Sequence, residues 1–204
     1  MHWSDVMANR LAERGTTHII ATGITPSGEF HIGHLREILT GDMIARAARK
    51  AGMEAELVFV VDNADPLRKV YPFLDEAYEA FIGHQLGSIP APDSEGKPDW
   101  ARFNEDGWTY ADHFLQPFLD ALRQIGVVPK LLPNLAAYRS GKFAEAARTA
   151  CDRADEVREI IERVSGRDLP EGWFPWQPLD SNGSLDGVTA VSYTHLTLPT
   201  SYPV

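Results

Sequence analysis

Residues 17 to 22 form a short apolar run that stops at Gly23, with Pro26 and Gly28 close behind. Such a run, closed by turn residues, predicts a buried strand entering a loop. From Ile32 to Ala51 the apolar positions Ile32, Leu35, Ile38, Leu39, Met43, Ile44 and Ala47 recur every three or four residues, and Gly52 stands where a helix C-cap belongs. Residues 56 to 61 (ELVFVV) are a second strand, apolar almost throughout, as expected where both faces of a parallel sheet are covered. Strand, helix and strand in this order predict an α/β fold with a right-handed crossover.

Beyond Val61 the pattern loosens. Pro90, Pro92, Pro98, Gly87, Gly96 and Gly107 lie among polar residues, which predicts an irregular, partly helical insertion over about 72–109. Helical spacing returns in Phe114, Phe118, Leu119, Leu122 and Ile125, and a third strand is expected over 127–132. A helix rich in Arg, Glu and Asp should run from Ser140 to about Val164, stopped by Gly166. Residues 188–204 hold no Asp, Glu, Lys or Arg, so the catalytic-type domain is expected to occupy 1–190, and 191–204 to be a foreign, unstructured tail.

Composition narrows the classes. A chain of 204 residues can bury one core, not two. The single Cys151 rules out an intrachain disulfide and a cysteine-rich zinc knuckle, in keeping with a reducing, cytoplasmic setting. Residues 1 to 14 lack the apolar core of a secretory signal, and no stretch is long and apolar enough for a membrane span. The net charge of -10 excludes a surface basic enough throughout to attract nucleic acid, so any RNA contact must be local.

The candidate chemistry lies between the first strand and the first helix, in Thr22-Gly23-Ile24-Thr25-Pro26-Ser27-Gly28-Glu29-Phe30-His31-Ile32-Gly33-His34. In open α/β sheets ligands bind at the carboxyl ends of the strands, where helix N-termini direct N–H groups and a positive dipole at phosphates. His31 and His34, three residues apart at a helix start, share one side of it and can both donate to one anion, which suits a triphosphate. Gly33 would let an adenosine ring approach the backbone, and Pro26 and Gly28 would shape the turn before it. The plainer readings are two surface histidines or a metal pair; a metal would need further ligands, and none is adjacent in sequence. A His-aliphatic-Gly-His match arises by chance roughly once in a thousand chains of this size.

Residues 26 to 34 (PSGEFHIGH) resemble the HIGH signature of class I aminoacyl-tRNA synthetases, whose nucleotide-binding domain is a Rossmann-like parallel sheet. The segment 23–28, Arg36-Glu37, Arg68-Lys69-Val70, Tyr110-Ala111-Asp112-His113-Phe114 and Leu169-Pro170-Glu171-Gly172-Trp173 resemble, in order and spacing, the lysyl-tRNA synthetases of that class. The resemblance implies activation of lysine with ATP and Mg2+ and transfer to tRNA(Lys), with Pro26, Ser27, Gly28, His31, Gly33 and His34 holding ATP, His31 and His34 catalytic, and Gly23 and Thr25 lining the amino-acid pocket. Asp62 and Asp65, at the end of the second strand, are candidates of which one holds the substrate amino group or the lysine ε-ammonium, since a buried cation needs a charge partner; a solvated loop or a helix N-cap is the alternative, Asp65 before Pro66 being also a turn signal.

Arg68 and Lys69 are expected to be solvated, as are Arg148, Arg153, Arg158 and Arg163, which interleave with Glu and Asp at pairing distance. Trp173 and Trp176 are expected to pack rather than to stack on a base. The family's second, lysine-containing KMSKS-type signature, its anticodon-reading domain and the cysteine knuckle of some relatives have no counterpart here. The chain alone is therefore expected to bind ATP weakly and not to aminoacylate. The rival readings are a glutamyl-type synthetase or small nucleotidyltransferase, and a non-catalytic binding fragment.

Overall fold

The computed structural model describes residues 2–186, so the expected tail lies outside the described residues. Helix α1 (Trp3–Ala12) leads into β1 (Thr17–Ile24), α2 (Ile32–Lys50) and β2 (Glu54–Val61). Two 3-10 turns (Glu76–Phe81 and Leu86–Ser88) and α3 (Trp100–Asp106) follow, then α4 (Tyr110–Gln124), β3 (Lys130–Pro133), α5 (Asn134–Arg139), α6 (Ala144–Asp152) and α7 (Ala154–Ser165). The three strands form one parallel sheet in the order β1-β2-β3, with Gly23 paired to Val60 and Val61 to Pro133. This is the α/β, Rossmann-like arrangement expected of the sequence.

The core forms where the strand and helix periods meet. Leu57, Phe59 and Val61 point to one face of β2 and are almost fully buried against Ile38 and Ala45 of α2 and Leu115, Phe118 and Leu122 of α4. Gly41 lets α2 come close to the sheet: a Cβ there would stand 2.8 Å from Thr22 Cγ2 and 3.0 Å from Leu57 Cδ1. A second cluster joins Leu67, Tyr78, Leu86 and Ile89 of the segment after β2 to Tyr110, Ala111 and Phe114 of α4, so this region carries its own buried core despite its lack of periodicity.

Both sheet-bound helices end in the same way. Gly52 and Gly126 take positive φ, and the next residue donates its N–H back five positions, from Met53 to Ala48 O (3.1 Å) and from Val127 to Leu122 O (2.9 Å). This is the Schellman closure, with its apolar contact between Val127 and Leu122 in the core. It explains a correction: Val127 belongs to the helix cap, and β3 begins only at Lys130.

Two further expectations are revised. The helix expected over 140–164 is two helices, because Arg153 leaves helical geometry (φ -119, ψ 33) and starts α7 as its N-cap residue. Charged residues fill the flanks of both helices, and periodicity does not register a one-residue break between them. The first strand is buried on one side only: Ile19 is 69% exposed, and Thr17, Ala21 and Gly23 beside it are exposed too.

Candidate nucleotide and amino-acid site

The loop from Thr25 to His31 leaves the carboxyl end of β1 and is held by the packed side of the fold. Pro26 is fully buried, and Tyr110 of α4, buried itself, donates its hydroxyl to Ser27 O at 2.8 Å. Phe30 stacks on Phe118 (centroids 4.4 Å apart) and touches the His34 ring (5.0 Å). The loop is thereby fixed before any ligand arrives, as a preorganised site requires.

His31 is the N-cap residue of α2, in extended geometry, and His34 is the third residue of the helix. The two side chains form a reciprocal capping box built from imidazoles: Gly33 N–H donates to His31 Nδ1 (3.1 Å), and His31 N–H donates to His34 Nδ1 (3.0 Å). The rings lie 3.9 Å apart, tilted by 32°. With both Nδ1 atoms accepting, each neutral ring carries its proton on Nε2, and that N–H remains to be donated. Burial holds His34 below its ordinary value of 6.5, His31 adds to this, and the Glu37 carboxylate opposes it.

This geometry changes how the helix end meets an anion. The N–H groups of Gly33, His34 and Leu35 already go to His31, to its ring or to its carbonyl oxygen. The positive end of α2 is therefore presented through imidazole N–H groups more than through bare amides. Gly33 has a use inside the chain as well: a Cβ there would lie 2.8 Å from the His31 ring that caps it. A Cβ on Gly28 would meet only ordinary contact with Phe73, at 3.6 Å.

At the end of β2, Asp62 and Asp65 come together with Thr25. Thr25 Oγ1 donates to Asp65 Oδ2 (3.2 Å), Asn134 Nδ2 donates to Asp62 Oδ1 (3.0 Å), and Arg68 stands 3.8 Å from Asp65. Burial raises the Asp62 pKa, Asn134 and Arg68 lower it, and Asp65 raises it further. The two carboxylates line a cleft of about 390 Å³ with Arg68, Asn134, Tyr138 and Trp176. Trp176 is half-buried and meets Tyr138 edge to face at 6.0 Å, so it both packs and forms cleft wall.

Several residues of the site went unassigned in the sequence. Glu37 Oε1 accepts the Gly23 N–H at 3.1 Å, Asn63 Oδ1 accepts the Leu135 N–H at 2.9 Å, and Asn134 holds Asp62. The only signals for them were membership of a matching segment or a place beside a candidate. Lys69 is exposed, and Arg153 pairs with Glu156 at the start of α7, as solvated residues do. Arg158 departs from that expectation: it is half-buried and, besides pairing with Glu162, donates to Leu169 O and Pro170 O, which ties the segment after α7 to the helix. Among the described residues no helix is long and apolar enough to cross a membrane, and no group of three or more His, Cys, Asp and Glu could hold a metal ion.

Comparison with known proteins adds the family. Residues 1–199 match the family described as tRNA synthetases class I (K). The chain is 43% identical over 178 residues to Lysine--tRNA ligase 1 of Methanosarcina acetivorans, which covers 87% of the chain and 31% of that protein. It is 43% identical over 194 residues to a Lysine--tRNA ligase of Archaeoglobus fulgidus (95% of the chain, 37% of that protein) and 35% identical over 196 residues to one of Thermoplasma volcanium (96% and 36%). The chain thus spans about a third of the length of the curated relatives it matches.

Proposed function

The chain belongs to the class I tRNA synthetases (K), and from that premise we propose that it forms the ATP-binding half of a site that activates lysine for attachment to tRNA(Lys). The lysine carboxylate attacks the α-phosphate of ATP, a P–O bond to lysine forms as the bond to pyrophosphate breaks, and lysyl-adenylate results. The 3′ hydroxyl of the tRNA then displaces AMP. The observation that carries this reading is the His31–His34 pair: two rings 3.9 Å apart at a helix start, each with Nδ1 engaged.

Donors fixed before the substrate binds stabilise charge that grows on phosphate oxygens, and they act most where that charge is largest, in the transition state. Pro26, Ser27, Gly28 and Gly33 shape the floor under the nucleotide. Gly23 and Thr25 lie toward the cleft with Asp62 and Asp65, whose carboxylates offer partners to a lysine ammonium; a bound cation would also lower the Asp62 pKa, against the burial that raises it. Mg2+ accompanies ATP in such reactions, but the described residues build no dedicated cage for it. What the chain itself supplies is the histidine pair, the loop backbone and the two aspartates. A role in charging tRNA fits a cytoplasmic setting.

The test is lysine-dependent exchange of labelled pyrophosphate into ATP, run on this chain and on a version extended to the length of its relatives. The extended version should exchange with lysine and lose that exchange on His31→Ala or His34→Ala, while this chain alone shows none. Exchange with glutamate instead of lysine would move the assignment to a glutamyl-type enzyme. No exchange with any amino acid, alongside retained ATP binding, would leave a binding module.

A further inference from the structure

Glu37 stands one turn beyond His34 on α2 and reaches back to the carboxyl end of β1, where it accepts the Gly23 N–H at 3.1 Å. Among the described residues β1 is an edge strand, and this amide goes to a side chain instead of a neighbouring strand. A carboxylate that accepts a backbone N–H makes a charge-assisted bond, here an exposed one of ordinary length. Glu37 and His34 are also three residues apart, a spacing that puts both on one helix face.

We propose that Glu37 is the positioning residue of this site: it ties the end of β1, where Gly23 and Thr25 lie, to the first turns of α2, which carry His34. The reading above says what the two halves bind; the tie itself rests on the bond. Glu37 borders a groove between β1 and α2 whose wall on β1 is Ile20, Ala21 and Thr22, none of them charged. Arg36 lines the same groove, and the charges that act on His34 are Glu37 on its own helix and His31 at the cap. Its negative charge favours the protonated form of His34, against burial and His31. A strand-end contact and a histidine's proton affinity thus depend on one carboxylate.

The experiment follows the Gly23 amide and the His34 ring by NMR in the 204-residue chain and two variants. In the unchanged chain the Gly23 amide should shift as His34 titrates. Glu37→Gln keeps an acceptor oxygen but no charge, so it should leave the amide protected and move the His34 titration to lower pH. Glu37→Ala should lower that titration too and also speed exchange at the Gly23 amide. An unchanged His34 titration in Glu37→Gln, or unchanged Gly23 exchange in a folded Glu37→Ala, overturns the proposal. Addition of ATP separates this from the functional reading. In the unchanged chain it should perturb both rings and Gly23, and in Glu37→Ala the rings alone. If ATP moves neither ring, the functional reading fails while the pH titration still decides the tie.

Discussion

The two faces of the sheet differ sharply. On one, Leu57, Phe59 and Val61 are at most 4% exposed beneath α2 and α4. On the other, Ile19 is 69% exposed, its neighbours Ala21 and Gly23 are open, and the pair nearest β3 is an exposed salt bridge from Lys130 to Glu56 (3.0 Å). The site is built on the covered side. Phe30 is packed into that core, Tyr110 holds Ser27, and α2 brings His34 and Glu37. Stability and site preorganisation therefore draw on the same packed layer, and the open face contributes little to either. Substitutions can break or sharpen this contrast.

The largest effect should come from Phe59→Ala, which empties the centre of the covered face. Removing a fully buried aromatic ring costs about 3–5 kcal/mol, a large share of the stability of a domain this size. Urea unfolding should show a much lower midpoint, or no folded state at all. A loss as small as that of a surface change would mean that the covered face is not the main source of stability.

Tyr110→Phe comes next. It removes one hydroxyl while keeping the ring, so the Ser27 carbonyl loses its partner. Leaving a buried acceptor unpaired costs about 1–3 kcal/mol, and because this bond is part-buried the loss should fall at the low end of that range. Because the bond spans 83 residues and holds the phosphate-side loop, ATP affinity should fall along with stability. Weaker stability with unchanged ATP affinity would separate the loop from the nucleotide site.

Much of this arrangement was legible in the residues, and the reasons are local. α2 and α4 were visible because one apolar face at a fixed period is what burial on a sheet demands, and Gly52 marked its helix end by the positive φ that the closure needs. β1 and β2 were visible as short apolar runs, but the run in β2 suggested cover on both faces, whereas only the face of Leu57, Phe59 and Val61 is buried. The motif around His31 and His34 was visible because strand, turn and helix start coincide there. What stayed hidden depends on distant partners. Val127 has the composition of a strand, and only its bond to Leu122 makes it a cap. The buried core around Tyr78 and Ile89 has no period to betray it, since its residues come from turns. Glu37 resembles any exposed helix glutamate until β1 is placed beside it.

A smaller effect is expected from pH. Burial, with His31, holds His34 below 6.5 in the folded chain, so just under that value the unfolded chain binds more protons. The corresponding stability is complete above pH 6.5 and is lost as pH falls through the window between the two pKa values. The urea midpoint should therefore drop between about pH 7.5 and about pH 5.5, and drop less in His34→Asn, which has no proton to bind there. An equal drop in both would assign the slope to other groups.

The smallest effect should be at Ile19, and it tests the contrast most directly. Its side chain lies on the open face beside Ala21 and Gly23, in a strand that pairs with β2 along one edge among the described residues. With 69% of its surface already in water, little apolar area is lost when it is shortened. Ile19→Ala should therefore change stability by no more than about 0.5 kcal/mol, the range of ordinary surface changes. Ile19→Lys should be tolerated as well, and should lower any tendency of the chain to associate, since a charge on an exposed strand opposes edge pairing. A cost for Ile19→Ala approaching that of Phe59→Ala would mean that this face is covered in solution. Dilution would then identify the cover: a midpoint that falls with protein concentration points to a second copy of the chain, and one that does not points to residues outside those described.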